Sequence, residues 1–183
     1  MKRRWKIADM LRVANRKRSV RGQALVEFAL VMPLFLTLLF GLVEVSLIYA
    51  SGALYDTAAH QAARIAALAA ARASGGDGQA VVAIKKLVPS IFVAPLAQVV
   101  IYRSDASGAE PNASAENVFD ANGNPIAPQT WPVASRISTA AAPVYLGVRI
   151  TYHYTWLTSF VGAMGVPLTL QATAVVPIEP VGG

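Results

Sequence analysis

A carboxylate, Glu27, stands inside the stretch RGQALVEFALVMPLFLTLLFGLVEV (Arg21–Val45), five residues after Gly22 and at the start of a run that otherwise has membrane-spanning character. An ionised carboxylate in hydrocarbon costs about 2.5–3.5 kcal/mol at mid-bilayer on insertion scales, and less towards the surface, so Glu27 calls for a partner. Lipid headgroups or Arg21 supply one, if the side chain snorkels. The other candidate chemistry is weak. His60 and His153 have no close cluster of further ligands, so a metal site is not expected and both are read as outward-facing. DANGNP places Asp120, Asn122 and Asn124 at alternate positions, like a calcium loop. Its glycine comes too early, however, and Trp131 falls where a bidentate Glu belongs, which leaves a plain turn. SGGDG (Ser74–Gly78) lacks the Gly-Lys-Ser/Thr of a phosphate loop, and Asn112 matches only the three-residue glycosylation pattern. With no Gly-x-Ser-x-Gly elbow and no nucleophile–base–acid set, the chain is not expected to be an enzyme and needs no cofactor. The absence of cysteine excludes disulfides, thiolate metal sites and thiol nucleophiles.

The charge distribution says where these groups sit. Nine of the sixteen Lys and Arg residues fall within the first 21 positions, opposed there only by Asp9; from Gly22 onward seven basic residues face nine acidic ones. A basic chain invites a nucleic-acid reading. Here the positive charge stops where the apolar run begins, which is the pattern of cations held on the cytoplasmic side of a spanning helix. No nucleic-acid partner is expected. Within the basic head Trp5, Ile7, Met10, Leu11 and Ala14 recur at near-helical spacing. That fits either a segment lying among lipid headgroups or a solvated tail.

Leu25 to Leu47 is 23 residues long and is interrupted only by Glu27, Pro33, Thr37, Gly41, Glu44 and Ser46. At about 1.5 Å per residue it covers the roughly 30 Å hydrocarbon layer, whereas a cleaved secretory signal has an apolar core of only about 7–15 residues. Pro33 removes one backbone hydrogen bond and is expected to kink or loosen the helix. The alanine-rich stretch that follows favours helix, so the helix is expected to continue to about Ala73. In it, Ala58, Ala62, Ala66 and Ala70 form a row of small residues suited to close packing, on the same domain or on neighbouring subunits. SGGDG ends it, and a short helix is expected from Gln79 to Val88.

LAQVVIYR, VYLGVRITYHYTWL and LTLQATAVVPIE carry strand signals; Val144, Leu146, Val148, Ile150 and Tyr152 share one face of the second, and Leu168, Leu170, Ala172 and Ala174 one face of the third. GAMGVP between the last two is turn chemistry. Ser104 to Pro143 reads as a long irregular surface excursion. The expected fold is α+β, with a transmembrane helix continuing into a long Ala-rich helix packed on a small antiparallel sheet of about three strands.

Written out as G-QALV-EF, with a basic leader before it and an apolar helix after it, Gly22–Phe28 resembles the type IV prepilin cleavage signature, in which a membrane peptidase cuts after the glycine. The cut would create an α-amino group on Gln23, about one helical turn from Glu27, so amine and carboxylate would neutralise each other in lipid. Together with LYDTAAHQAARIAALA, VRITYHYTWLTSF and LTLQATAVVPIE, the segment is similar to the TadE-like family of tight-adherence (Flp-type) pilus assembly proteins, which are minor pilins or pseudopilins. The resemblance covers the N-terminal third well and the last strands loosely. It implies that Gly22, Gln23, Glu27 and Phe28 carry processing and that Glu44 is a second acidic position in the membrane helix. Gln23 departs from the Phe common at the new N-terminus of major type IV pilins.

The resulting expectation has three parts: a basic cytoplasmic leader (1–22), a transmembrane helix (23–48), and a periplasmic α+β domain (49–183) that includes the helix extension 49–73. As a bacterial inner-membrane subunit, the chain would meet a prepilin peptidase, other pilin-like subunits and pilus assembly proteins. The alternative is an uncleaved single-pass membrane protein whose outer domain binds a ligand or surface component.

Overall fold

Two α-helices and four strands are present among the residues that the computed structural model describes: 4–71, 76–88, 93–109, 115–158 and 167–180, with side chains from residue 22 onward except at 71. In chain order these are α1 (Arg4–Ala71), α2 (Asp77–Leu87), β1 (Leu96–Ser104), β2 (Glu116–Asp120), β3 (Tyr145–Tyr154) and β4 (Leu168–Pro177). The chain divides into two compact units, Met1–Val43 and Glu44–Gly183.

In the first unit, α1 exposes its large apolar side chains on every side from Leu25 to Val43. The helix assignment passes through Pro33, and Thr37 Oγ1 donates to the Pro33 carbonyl at 2.8 Å. Among the described residues, α1 is the one helix long and apolar enough to cross a membrane, within Gly22–Ala70. The side chains of the basic head lie outside the described residues.

The second unit is built on the C-terminal part of α1, from Glu44 onward. Alanine here does two jobs, since it favours the helix and leaves no bulk between helix and sheet. Ala58, Ala62, Ala66 and Ala70, with Ala59, Ala63 and Ala67 beside them, are all buried in the unit's own core. The row is therefore occupied within the domain, which was one of the two roles its spacing allowed. Opposite it lie Val99 and Ile101 of β1, Leu146, Val148, Ile150, Tyr152 and Tyr154 of β3, and Ala172 and Ala174 of β4. These are the alternate positions that a half-buried strand must point inward. Tyr55 of α1 stacks on Tyr152 of β3 with ring centroids 4.0 Å apart, and its hydroxyl donates to the Ala94 carbonyl at 2.7 Å.

The sheet is antiparallel throughout, in the order β2-β1-β3-β4. It has four strands where about three were expected. The extra strand, β2, forms from ENVFD inside the stretch read as irregular. Only Val118 and Phe119 are apolar in those five residues, too few to show a period. Pairing with β1, from Gln98↔Asp120 to Tyr102↔Glu116, decides the conformation instead. The other element bounds fall within a few residues of expectation: α2 ends at Leu87 rather than Val88, and α1 is described as far as Ala71, the expected end near Ala73 lying outside the described residues. GAMGVP up to Val166, Ser74 and Gly75 of SGGDG, and Asn112 lie outside the described residues.

The sheet's other face carries a small second cluster of Val100, Tyr102 and Val118. In it Gly147 lies directly across from Tyr102 in the β1–β3 register, and the tyrosine ring covers the place where a Cβ at residue 147 would stand. A side chain at 147 and a ring at 102 compete for one space.

Candidate functional site

Gly22, Gln23, Glu27 and Phe28 all lie in α1 with exposed side chains. Gln23 Nε2 donates to Glu27 Oε1 at 3.0 Å, as residues four apart on a helix can. The spacing expected to bring an amine at residue 23 to the carboxylate thus already brings the Gln23 amide there. Gly22 has no packing reason to be glycine, since a Cβ built there meets nothing within 4 Å. In a helix interior glycine costs about 1 kcal/mol relative to alanine. Its presence is therefore not accounted for by any contact in the described chain.

Glu44 is the first residue of the second unit and is only 2% exposed. Its carboxylate is fully engaged. Oε2 accepts the Tyr154 hydroxyl at 2.6 Å, and Oε1 accepts the Thr158 backbone N–H at 2.7 Å and the Thr158 hydroxyl at 3.0 Å. Burial, followed by the hydrogen bond and negative charge of Glu44, holds the Tyr154 hydroxyl well above its ordinary pKa. The carboxylate thus ties α1 to the end of β3.

A second buried polar cluster was not anticipated. Arg136 and Asp77 form a two-pronged ion pair, Nη1 to Oδ1 and Nη2 to Oδ2, both at 2.6 Å. Such a fork matches the guanidinium geometry and is the stronger class of charged hydrogen bond. Asn117 of β2 completes it. Its Nδ2 donates to Asp77 Oδ2 at 2.6 Å and to the Trp131 carbonyl at 2.9 Å, while its Oδ1 accepts the Trp131 N–H at 3.1 Å. Arg136 also donates to the Trp131 carbonyl and lies 4.4 Å from the centre of the Trp131 ring. Arg136 Nε is buried without a partner among the described residues. The cluster pins the long β2–β3 connection to the first turn of α2. Two signals pointed to it: Asp77 after the Gly75-Gly76 pair, and Arg136 as the lone charge between Asp120 and Arg149.

DANGNP is a plain turn. Asp120 Oδ1 accepts the N–H groups of Asn122 and Asn124, both at 2.8 Å, and Gly123 takes the positive φ of +90° that closes it. These backbone bonds, led by that of Asn124, hold the Asp120 carboxyl below its ordinary pKa. His60 of α1 and His153 of β3 are exposed; His153 Nδ1 lies 3.2 Å from Thr169 Oγ1. No group of three or more His, Cys, Asp or Glu side chains is placed to hold a metal among the described residues. A shallow cavity of about 280 Å³ is lined by Arg64, Ala67, Leu68, Val176, Pro177 and Glu179, without a nucleophile or a base–acid pair.

An exposed apolar helix long enough to cross a membrane, followed by an α+β unit, is the class of architecture that the described residues define. Residues 22–64 match the model of the TadE-like protein family, and the match begins at Gly22 itself. Neither the curated proteins nor the solved structures contain a significant match to it.

Proposed function

We propose that this chain is a pseudopilin-like membrane subunit used to assemble a Flp or tight-adherence pilus, or a related secretion apparatus, at the bacterial inner membrane. In this reading a prepilin peptidase cuts after Gly22, removing nine of the sixteen Lys and Arg residues, and residues 23–48 cross the bilayer towards a periplasmic domain. The new amine at Gln23 then takes the place of the Gln23 amide beside Glu27. Within one chain or between neighbouring subunits, that pairing neutralises a charge otherwise costly in lipid. Loss of the cationic head also frees the subunit to be drawn from the membrane towards pilin-like partners.

The observation that carries this reading is Gly22. Its glycine identity meets no packing need, it begins the family match, and it precedes Glu27 by five residues. A helix-weakening residue at that point also helps a protease to unwind its substrate locally. Co-expression with a prepilin peptidase, followed by intact-mass measurement, tests it. The expected product lacks residues 1–22, and Gly22→Ala, which the fold accommodates, blocks the cut. An unchanged mass for the native chain overturns the proposal and favours an uncleaved anchor.

A further inference from the structure

We infer that the end of the second unit around Glu44 is a lipid-contacting surface, seated in the headgroup layer through Val45, Tyr49, Trp156, Leu157 and Leu168. This inference rests on the reading that the apolar part of α1 before Glu44 spans the membrane.

Three observations support it. The first is where the exposed apolar groups lie. Tyr49 is 77% exposed, Val45 51%, Leu157 47% and Leu168 36%, although each belongs to the folded unit. Each is linked to Glu44 along the chain or through a group that bonds it. Val45 follows it, and Tyr49 is about 7.5 Å further along the helix axis. Leu157 precedes Thr158, which bonds the Glu44 carboxylate, and Leu168 pairs with Tyr154, which does the same. Trp156 sits edge-on to Tyr154, with ring centroids 5.7 Å apart.

The second observation is charge. In the segments that build this end, Glu44–Tyr55, Val93–Gln98, Tyr152–Thr158 and Leu168–Ala174, Glu44 is the only Asp, Glu, Lys or Arg. The fold buries it and satisfies it with three donors. These bonds satisfy both carboxylate oxygens and offset part of the cost that the group would bring to a low-dielectric layer.

The third is chemistry and continuity. Tyr and Trp concentrate at the membrane–water boundary, where an apolar ring with one polar atom is at home. The spanning-length helix joins this unit at Glu44, so covalent connection brings lipid to this end of the unit. On this inference the outer domain begins at Glu44, and Glu44 serves the domain rather than the hydrocarbon layer.

The chain has no native cysteine, so single-cysteine labelling is direct. Nitroxide labels at Leu157→Cys, Leu168→Cys and Tyr49→Cys in the full chain, reconstituted in phosphatidylethanolamine–phosphatidylglycerol vesicles, report access to oxygen and to a water-soluble nickel chelate. Ile137→Cys is the aqueous control. It is 69% exposed and equally apolar, and follows Arg136, whose cluster includes Asn117. Asn117 is level with Ile101 and Val148, about 20 Å along β3 from Tyr154. Leu34→Cys is the lipid control. Oxygen-favoured access at residues 157, 168 and 49, reversed at 137, is the expected result. Nickel-favoured access at all three, with residue 34 still in lipid, overturns this inference alone. Nickel-favoured access at residue 34 overturns the spanning reading and this inference with it.

Discussion

The Tyr154 hydroxyl donates to Glu44 Oε2 at 2.6 Å across 110 residues of sequence, joining the last residue of β3 to the point where α1 enters the second unit. Thr158 donates twice to the other carboxylate oxygen, so both oxygens are used. A buried hydrogen bond to a charged group contributes about 1.5–3 kcal/mol. Tyr154→Phe is expected to lower the stability of the second unit by that amount, read from urea unfolding of the full chain in detergent. Glu44→Ala should cost more, since it strands the Tyr154 hydroxyl and both Thr158 donors. Equal stability of all three proteins would remove the latch.

Alkaline pH should weaken the same contact. Tyr154 is held above its ordinary pKa by burial and then by Glu44; Tyr152 is raised by burial and then by the charge of Asp56. Unfolded tyrosine titrates near pH 10. A raised folded-state value means that the folded chain binds the proton more tightly. The stabilisation is therefore complete below about pH 10 and is lost as pH climbs beyond it. The urea midpoint should fall more steeply above about pH 10 than below it, and less steeply in Tyr154→Phe.

The Asp77–Arg136 pair makes a separable prediction about the β2–β3 connection. Removing one partner of a buried ion pair leaves the other charge uncompensated, at a cost of about 3–5 kcal/mol. Asp77→Ala is expected to destabilise by that order and to open the chain after Arg136 to trypsin. In the native chain that bond is protected, because Arg136 is only 1% exposed. Limited proteolysis with mass analysis of the fragments checks it. Protection retained in the variant would show that other contacts hold the connection.

Gly147 and Tyr102 should behave as one unit. Overfilling a packed site costs about 1–3 kcal/mol, and a methyl group at 147 meets the Tyr102 ring. Gly147→Ala should therefore be destabilising in the native background and nearly neutral in Tyr102→Ala. A double-mutant cycle of unfolding free energies reads the coupling, with about 0.5–3 kcal/mol expected for residues in contact. No coupling would mean that the ring simply moves aside.

Much of the architecture was legible because it rests on local patterns. The run from Leu25 to Leu47 declares a spanning-length helix by its length and composition, and the alternation in VYLGVRITYHY names β3's inward residues, which the core contains. Helical spacing alone put Gln23 and Glu27 in reach of one another. β2 escaped notice since its five residues carry no period, and a strand that short takes its conformation from its partner. Glu44 showed the same limit from the other side. Its position in an apolar run suggested a membrane charge, yet nothing local reveals that Tyr154 and Thr158 enclose it.

By itself, then, the sequence determined what depends on neighbours a few residues apart: the basic head, the apolar span, the Gly22–Glu27 spacing and the facing of the long strands. Tertiary structure alone decided which charges are enclosed and by what. Asp77 meets Arg136 across 59 residues and Glu44 meets Tyr154 across 110. Hydrogen bonds and ion pairs act over a few ångströms, and only the closing of the chain brings such distant groups within that range.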